Sequence, residues 1–273
     1  GYETLAPEGE TEVTLYAHWT KDEEEPAPEP ENPPSSGGGS GGSGGGSGNQ
    51  NRDEPEESLL TGEHIRYMQG YPDGTFDADG NMTRAEAAQM FFNLLNEKFA
   101  ADPFYSDVKS SAWYADAVGA LSELGIVEGY EDGSFRPDDE ISRAEFVAMI
   151  SRFFEIDPVR GCEFPDVGEE RWYYGVIASA TSRGWITGYS DGTFRPQNFI
   201  SRAEVAAITN RVLERSADRD VIREAGEELA VFPDLSEGHW AYYTVLEAAN
   251  GHDYEQDGEG ENWTRLKYQT ETR

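Results

Sequence analysis

A 59-residue internal repeat constrains this chain more than any other feature. Tyr71-x-Asp73-Gly74-Thr75-Phe76 recurs as Tyr130-x-Asp132-Gly133-Ser134-Phe135 and as Tyr189-x-Asp191-Gly192-Thr193-Phe194, 59 residues apart each time. Arg-Ala-Glu, beginning at Arg84, Arg143 and Arg202, keeps the same interval. A third marker, an Asp followed six residues later by Trp, stands at Asp107/Trp113, Asp166/Trp172 and Asp234/Trp240. Its first interval is 59, and its second is 68, lengthened by an Arg- and Glu-rich stretch over 216–230. Repeats of this length are stacked or pseudo-symmetric units that share a core.

Each copy reads as helix, turn-loop, helix. In the second copy Ser110-Ser111 is a candidate cap for a helix with apolar positions at Trp113, Tyr114, Ala117, Val118, Leu121 and Leu124. Gly125 followed by Ile126 is a left-handed stop, repeated at Gly184-Trp185-Ile186. Asp132-Gly133 marks a tight turn, and Arg136-Pro137 predicts an extended exit. Ser142-Arg143-Ala144-Glu145 is a capping box for a second helix that buries Phe146, Met149, Ile150 and Phe153, and Thr83 and Ser201 head the same box elsewhere.

The box assigns Glu86, Glu145 and Glu204 a structural role. Arg84, Arg143 and Arg202 fall at the first helical position, where the helix dipole disfavours a cation. Their return in every copy points to anion binding beside free helix N–H groups. Trp113, Trp172 and Trp240, read as one turn into the other helix, are either core residues or platforms for a sugar ring. Asp77-Ala78-Asp79-Gly80 is too short for a twelve-residue calcium loop, and the other copies lack it, so no metal site is expected.

The formal net charge of -33 argues against nucleic acid and anionic lipid as partners. No apolar run approaches the ~20 residues that span a bilayer, so no membrane insertion is expected. Four of the 21 basic residues are Lys, so Arg carries most of the positive charge. The single Cys162 allows no internal disulfide, and a proper core has to take its place. His18, His64, His239 and His252 lack metal-ligand spacing and read as scattered surface residues.

The chain starts at Gly1 with no signal peptide in view, as expected of a fragment of a longer secreted precursor. Val13 to Trp19 reads as one β-strand, and "VTLYAHWT" resembles the last strand of the Listeria–Bacteroides (internalin B-type) repeat. Residues 21–57, acidic and Pro-rich and then Gly/Ser only, form a linker.

Phe-x-Asp…Trp…Gly-Tyr-x-Asp-Gly-Thr-Phe…Ser/Thr-Arg-Ala-Glu closely resembles the S-layer homology (SLH) module of bacterial surface proteins, with Phe104/Asp107/Trp113, Phe164/Asp166/Trp172 and Phe232/Asp234/Trp240 taking part. The resemblance covers about 63–250 and implies a mainly α fold. Three helix-loop-helix modules would form a pseudo-threefold assembly around a central helix bundle. It further implies non-covalent anchoring of an exported protein to the cell wall. The ligand would be a secondary cell-wall polysaccharide, commonly pyruvylated, bound in inter-module grooves by a monomeric, extracellular, non-catalytic module without cofactor.

The implied glycan contacts are Arg84, Arg143 and Arg202, Trp113, Trp172 and Trp240, Asp107, Asp166 and Asp234, with the turn glycines Gly74, Gly133 and Gly192. Replacing all three arginines by Ala is then expected to abolish wall binding and leave the fold intact. A pyruvate carboxylate suits Arg, and a sugar face suits Trp. The alternatives are a segment of a self-assembling S-layer protein and a glycoside hydrolase. No unique carboxylate pair favours the enzyme, because the candidate Asp residues recur in every copy.

The frame predicts these units: 1–20, the end of a β-rich repeat; 21–57, the linker; 58–103, the second half of a first module; 104–161, a second module; 162–231, a third with the inserted stretch; and 232–273, a closing half-module and tail. The helix near His239 is expected to close against the first copy, and Trp263 to pack back on the bundle.

Overall fold

The computed structural model describes residues 59–60, 62–154, 159, 161–256 and 260–267. The expected strand over 13–19, the linker 21–57 and the end of the tail lie outside these residues.

Each capping box starts a helix. α1 (Arg84–Leu94), α3 (Arg143–Ser151) and α5 (Arg202–Val212) are capped by Thr83, Ser142 and Ser201. Each cap side chain accepts the N–H of Glu86, Glu145 or Glu204, whose carboxylate accepts the cap N–H in return. The second helices are α2 (Ala115–Glu123), α4 (Tyr174–Ser182) and α7 (Tyr242–Ala249), and α1 packs on α2, α3 on α4, α5 on α7. The inserted stretch forms the short α6 (Arg219–Ala225), capped by Asp218. The hairpin β1 (Gly251–Gln256)–β2 (Glu261–Lys267) follows α7, antiparallel with one register shift. Among the described residues the architecture is thus mainly α, with seven α-helices and one two-stranded sheet.

Two local expectations are corrected. The expected Ser cap is absent: α2 begins at Ala115 behind Tyr114, which makes no side-chain cap bond. Tight turns (Ala112 N–H to Lys109 O, Ala115 N–H to Ala112 O) lead into it instead, so Trp113, Trp172 and Trp240 stand just before their helices. Nor does the chain leave the Asp-Gly turn extended. Arg136 and Arg195 have φ of 56° and 58°, and Asp77, their counterpart, 52°. A carboxylate supports each bend: Asp107 accepts the N–H groups of Phe135 (2.8 Å) and Arg136 (2.7 Å), and Asp166 those of Phe194 and Arg195. The glycine stops hold, with Gly125 at φ 69° and Gly184 at 73°.

The copies are joined by backbone hydrogen bonds in cyclic order. Met82 N–H donates to Ile200 O (3.0 Å), Ile200 N–H to Ile141 O (3.0 Å), and Ile141 N–H back to Met82 O (2.9 Å). All three side chains are buried. Two residues further on, helix-start N–H groups are taken by loop carbonyls of another copy: Arg84 by Asp139, Arg143 by Asn198, Arg202 by Gly80, each at 2.9 Å. The next N–H groups, of Ala85, Ala144 and Ala203, donate to Pro137, Pro196 and Ala78. Helix starts leave N–H groups without intrahelical partners, and here a neighbouring loop satisfies them.

The segment ahead of α7 meets the first copy, while α7 itself packs on α5. Asp234 accepts from Phe76 N–H (2.9 Å) and Asp77 N–H (2.7 Å), repeating the bonds of Asp107 and Asp166 across a sequence separation of 158 and 157 residues. The Phe232 ring lies 5.0 Å from that of Phe76, and His239 reaches Asp79 at 3.3 Å. Trp263 packs back with Ile222, Leu229 and Leu246, and its ring stacks on His252 at 3.9 Å.

Glycines before the turn tyrosines permit a close approach. A Cβ on Gly129 would sit 2.2 Å from the Tyr105 ring and 2.6 Å from Ser134 O; Phe232 and Phe164 crowd Gly70 and Gly188 in the same way.

Three outcomes follow. Asp234→Ala lowers stability by about 1–2 kcal/mol, because two N–H groups lose a charged acceptor; an unchanged urea midpoint would mean that closure contributes nothing. Gly129→Ala lowers it by about 1–3 kcal/mol through overpacking, read from the same midpoint. Asp132 is held at about 2, by the Ser134 hydroxyl first and then by Arg136, against its ordinary 3.8. A carboxylate depressed in the fold contributes stability that is complete above its unfolded value and is lost as pH falls through the folded one. The urea midpoint therefore drops between about pH 4 and 2, and Asp132→Asn flattens that part of the profile; identical profiles would rule the group out.

Candidate functional site

The capping boxes put an arginine at the start of each of α1, α3 and α5, and all three guanidinium groups reach into the turn of another copy. Arg84 donates to Phe135 O and Glu128 O, both at 2.8 Å, and Arg202 to Phe76 O (2.8 Å) and Gln69 O (2.6 Å). Arg143 donates to Phe194 O at 2.9 Å. Each also lies over the Tyr and Phe rings of the turn it enters: Tyr130 and Phe135 for Arg84, Tyr189 and Phe194 for Arg143, Tyr71 and Phe76 for Arg202. The second oxygen of the capping Glu serves the same cluster. Glu204 Oε1 lies 3.0 Å from Arg143 Nη1 and accepts from Tyr189 OH, and Glu86 Oε1 lies 3.6 Å from Arg202 Nη1 and accepts from Tyr71 OH.

This arrangement changes the reading of the arginines. They are only 3–4 % exposed. The helix-start N–H groups beside them already donate to loop carbonyls, so the open anion site expected from position alone is filled by protein. Deleting a buried guanidinium leaves carbonyls unpaired at about 1–3 kcal/mol each, so the alanine triple change is also a folding change. Burial holds the Arg84 guanidinium below its ordinary range.

Asp107, Asp166 and Asp234 are committed to the backbone N–H groups described above. Gly74, Gly133 and Gly192 have φ of 87°, 79° and 82° at the apex of their turns, a backbone region that costs a side chain strain. The turn closes through Tyr71 N–H to Thr75 O (2.7 Å) and Gly74 N–H to Tyr71 O (2.9 Å). Phe104, matched by sequence to Phe164 and Phe232, is 81 % exposed. Tyr105, two residues before its Asp as Phe164 and Phe232 are, packs on Phe135 at 5.3 Å instead.

The tryptophans are exposed, by 62 % at Trp113, 38 % at Trp172 and 61 % at Trp240, which resolves the open choice against core packing. Trp113 and Arg202 line one groove with Tyr71, Glu86, Gln89 and Asn93. Trp240 lines another with Tyr243, Asn210, Arg211, Arg219 and Arg223. These two grooves thus bring Trp113 together with Arg202 but seat Trp240 beside α5 and α6. Arg136 and Arg195, which sequence reasoning passed over, are more accessible cations. Each pairs with a turn Asp (Asp132 at 2.9 Å, Asp191 at 2.8 Å) and lies over Tyr130 or Tyr189. Their recurrence before Pro was the available signal.

The histidine reading is also corrected. His64 and His252 are buried, at 1 % and 0 % exposure, and their Nδ1 and Nε2 atoms lie 2.9 Å apart. Burial holds both imidazoles well below their ordinary value. Glu247 and Glu261 complete the cluster, and the buried Arg215 pairs with Glu247 at 2.8 Å. Burial raises Glu247 to about 7. Sequence spacing hid this cluster because its members come from opposite ends of the described chain. Cys162 is a free, half-buried thiol whose pKa burial raises.

Comparison with known proteins gives this geometry a context. The chain is 36% identical over 235 residues to "Cell surface glycoprotein 1" of Acetivibrio thermocellus, covering 78% of this chain and 10% of that protein. It is 35% identical over 224 residues to the "Cellulosome-anchoring protein" of the same organism, covering 77% and 48%. With "Exoglucanase XynX" of Acetivibrio thermocellus it shares 35% identity over 167 residues, 58% of this chain and 15% of the enzyme. The chain thus spans less than half the length of each of these relatives. The S-layer homology domain family matches residues 67–88, 104–147 and 163–206. These matched segments hold the turns, the arginines and two of the three exposed tryptophans.

Proposed function

We propose that this chain anchors an exported protein to the bacterial cell wall by holding a secondary wall polysaccharide, with a pyruvate ketal as the favoured anion, in grooves between three modules. An extracellular, wall-associated location follows from the S-layer homology domain and from cell-surface relatives. A relative named for anchoring supports the role, and the cyclic hydrogen bonds support a pseudo-threefold arrangement of monomeric, non-catalytic modules.

The observation that carries this reading is the groove in which exposed Trp113 faces Arg202, Tyr71 and Glu86. An exposed indole offers a face for a sugar ring. Polar groups at the groove wall orient hydroxyls, and the charge of the Arg202 guanidinium, itself bonded to protein carbonyls, draws a carboxylate into the groove. The arginine then has two duties, joining the copies and lining the groove. The closing groove at Trp240 takes part as well, since Arg211, Arg219 and Arg223 line it. These local cations allow an anionic polymer to approach a chain of net charge -33. Several grooves on one polymer chain raise avidity through effective concentration.

The S-layer-segment alternative rests on no feature of the described residues. The exoglucanase match spans 15% of that enzyme, which suits an appended anchor better than a catalytic unit.

The test separates contact from folding. The triple variant Trp113→Ala, Trp172→Ala, Trp240→Ala keeps its circular dichroism and loses wall co-sedimentation by tenfold or more, since each stack contributes about 0.5–1.5 kcal/mol. Equal sedimentation of a folded variant would remove the tryptophans from the site.

A further inference from the structure

Outside the three segments that match the domain family, residues from the two ends of the described part of the chain meet in a buried cluster. His64, just ahead of the first copy, pairs with β1: His252 N–H donates to His64 O at 2.9 Å. Glu247 comes from the last turns of α7, His252 from β1 and Glu261 from β2. All four are buried, and one donor atom of each lies within 4.8 Å of all the others. The grooves described above use none of His64, Glu247 or His252.

We propose that this cluster is a structural site for a divalent transition-metal cation, zinc by its donor set, that fastens the C-terminal hairpin to the segment preceding the first copy. The geometry argues first. His64 Nδ1 lies 2.9 Å from His252 Nε2, 3.4 Å from Glu261 Oε2 and 3.8 Å from Glu247 Oε1, and His252 Nε2 lies 3.7 Å from Glu247 Oε1. Metal–ligand bonds of ~2.0–2.1 Å in a tetrahedron set ligand atoms about 3.3 Å apart, and these separations bracket that edge.

Unmet donor capacity argues second. The other oxygens of these two carboxylates, Glu247 Oε2 and Glu261 Oε1, are buried and accept no hydrogen bond, while Glu247 Oε1 and Glu261 Oε2 accept from Arg215 and Ser216. Trp263 lies close enough to favour ionised Glu247 slightly, but its indole N–H is directed at Ser216 O at 3.4 Å. A buried carboxylate oxygen without a partner is costly, and a cation supplies what it lacks.

The surrounding bonds hold the ligands in metal-ready form. His252 Nδ1 lies 3.1 Å from Asn250 O. The proton on that nitrogen leaves Nε2 with its lone pair toward the cluster, the outer-shell pattern of metal-bound histidines. Arg215 orients Glu247 at 2.8 Å, and Ser216 N–H donates to Glu261 Oε2 at 3.1 Å. Two imidazoles with two carboxylates favour zinc over calcium or magnesium, which prefer oxygen alone.

The test uses the chain 1–273. After chelator treatment and dialysis against ZnCl2, elemental analysis finds about one zinc per chain, the thermal midpoint rises by several degrees and chelator reverses the rise, while MgCl2 gives neither effect. Cobalt(II) gives the visible bands of a tetrahedral nitrogen–oxygen site without a thiolate charge-transfer band, which excludes Cys162. Glu261→Gln and His252→Gln lose the zinc. Should these variants fail to fold, the wild-type stoichiometry and cobalt spectrum decide alone. The proposal is overturned if the folded wild type retains less than 0.1 zinc per chain, if cobalt reports thiolate, or if folded variants keep the metal.

Discussion

The structure depends on a ring of backbone hydrogen bonds made by Met82, Ile141 and Ile200. Each residue stands just ahead of a capping residue, so the ring sets where three helices start and which way they run. It also fixes the adjacent loops, whose carbonyls fill the helix-start donors of another copy. Each copy caps the third N–H of its own helix but leaves the first two to a loop of another copy. That dependence explains why copies of one motif act as a unit: a copy alone would leave N–H groups unpaired and an arginine without its carbonyls.

The arginines are the second tier of the same design. Each enters the turn of another copy, lies over its aromatic pair and ties a loop carbonyl to a helix start. The turn in turn depends on a carboxylate from the segment ahead of the next helix, Asp107, Asp166 or Asp234. Helix start, turn and Asp segment thus close one loop of mutual support. What remains exposed is the indole in front of each second helix.

The repeat interval and capping boxes made the α1, α3 and α5 starts legible from sequence, because both rest on local chemistry. The partner of each arginine was not legible, since Arg84 bonds Phe135 and Arg202 bonds Phe76, and nothing local to the helix encodes that exchange. Periodicity also put Trp113 inside a helix, because an aromatic just ahead of the N-cap falls in step with the apolar face behind it. Arg136 took φ 56° against the ordinary preference before proline: a distant carboxylate overrode it. Tyr105 was missed for Phe104 because both are aromatic neighbours and only the distance to Asp107 distinguishes them. The His64–His252 pair was invisible because 188 residues separate its members.

The central claim is that the chain holds a wall polysaccharide through an anionic substituent and sugar faces together. Calorimetric titration with purified wall glycan, before and after chemical removal of its pyruvate, tests it most directly. The account predicts saturable binding to the intact glycan and at least a tenfold weaker affinity after removal. Equal affinity for both glycans, or no heat with either while the protein remains folded, would contradict it.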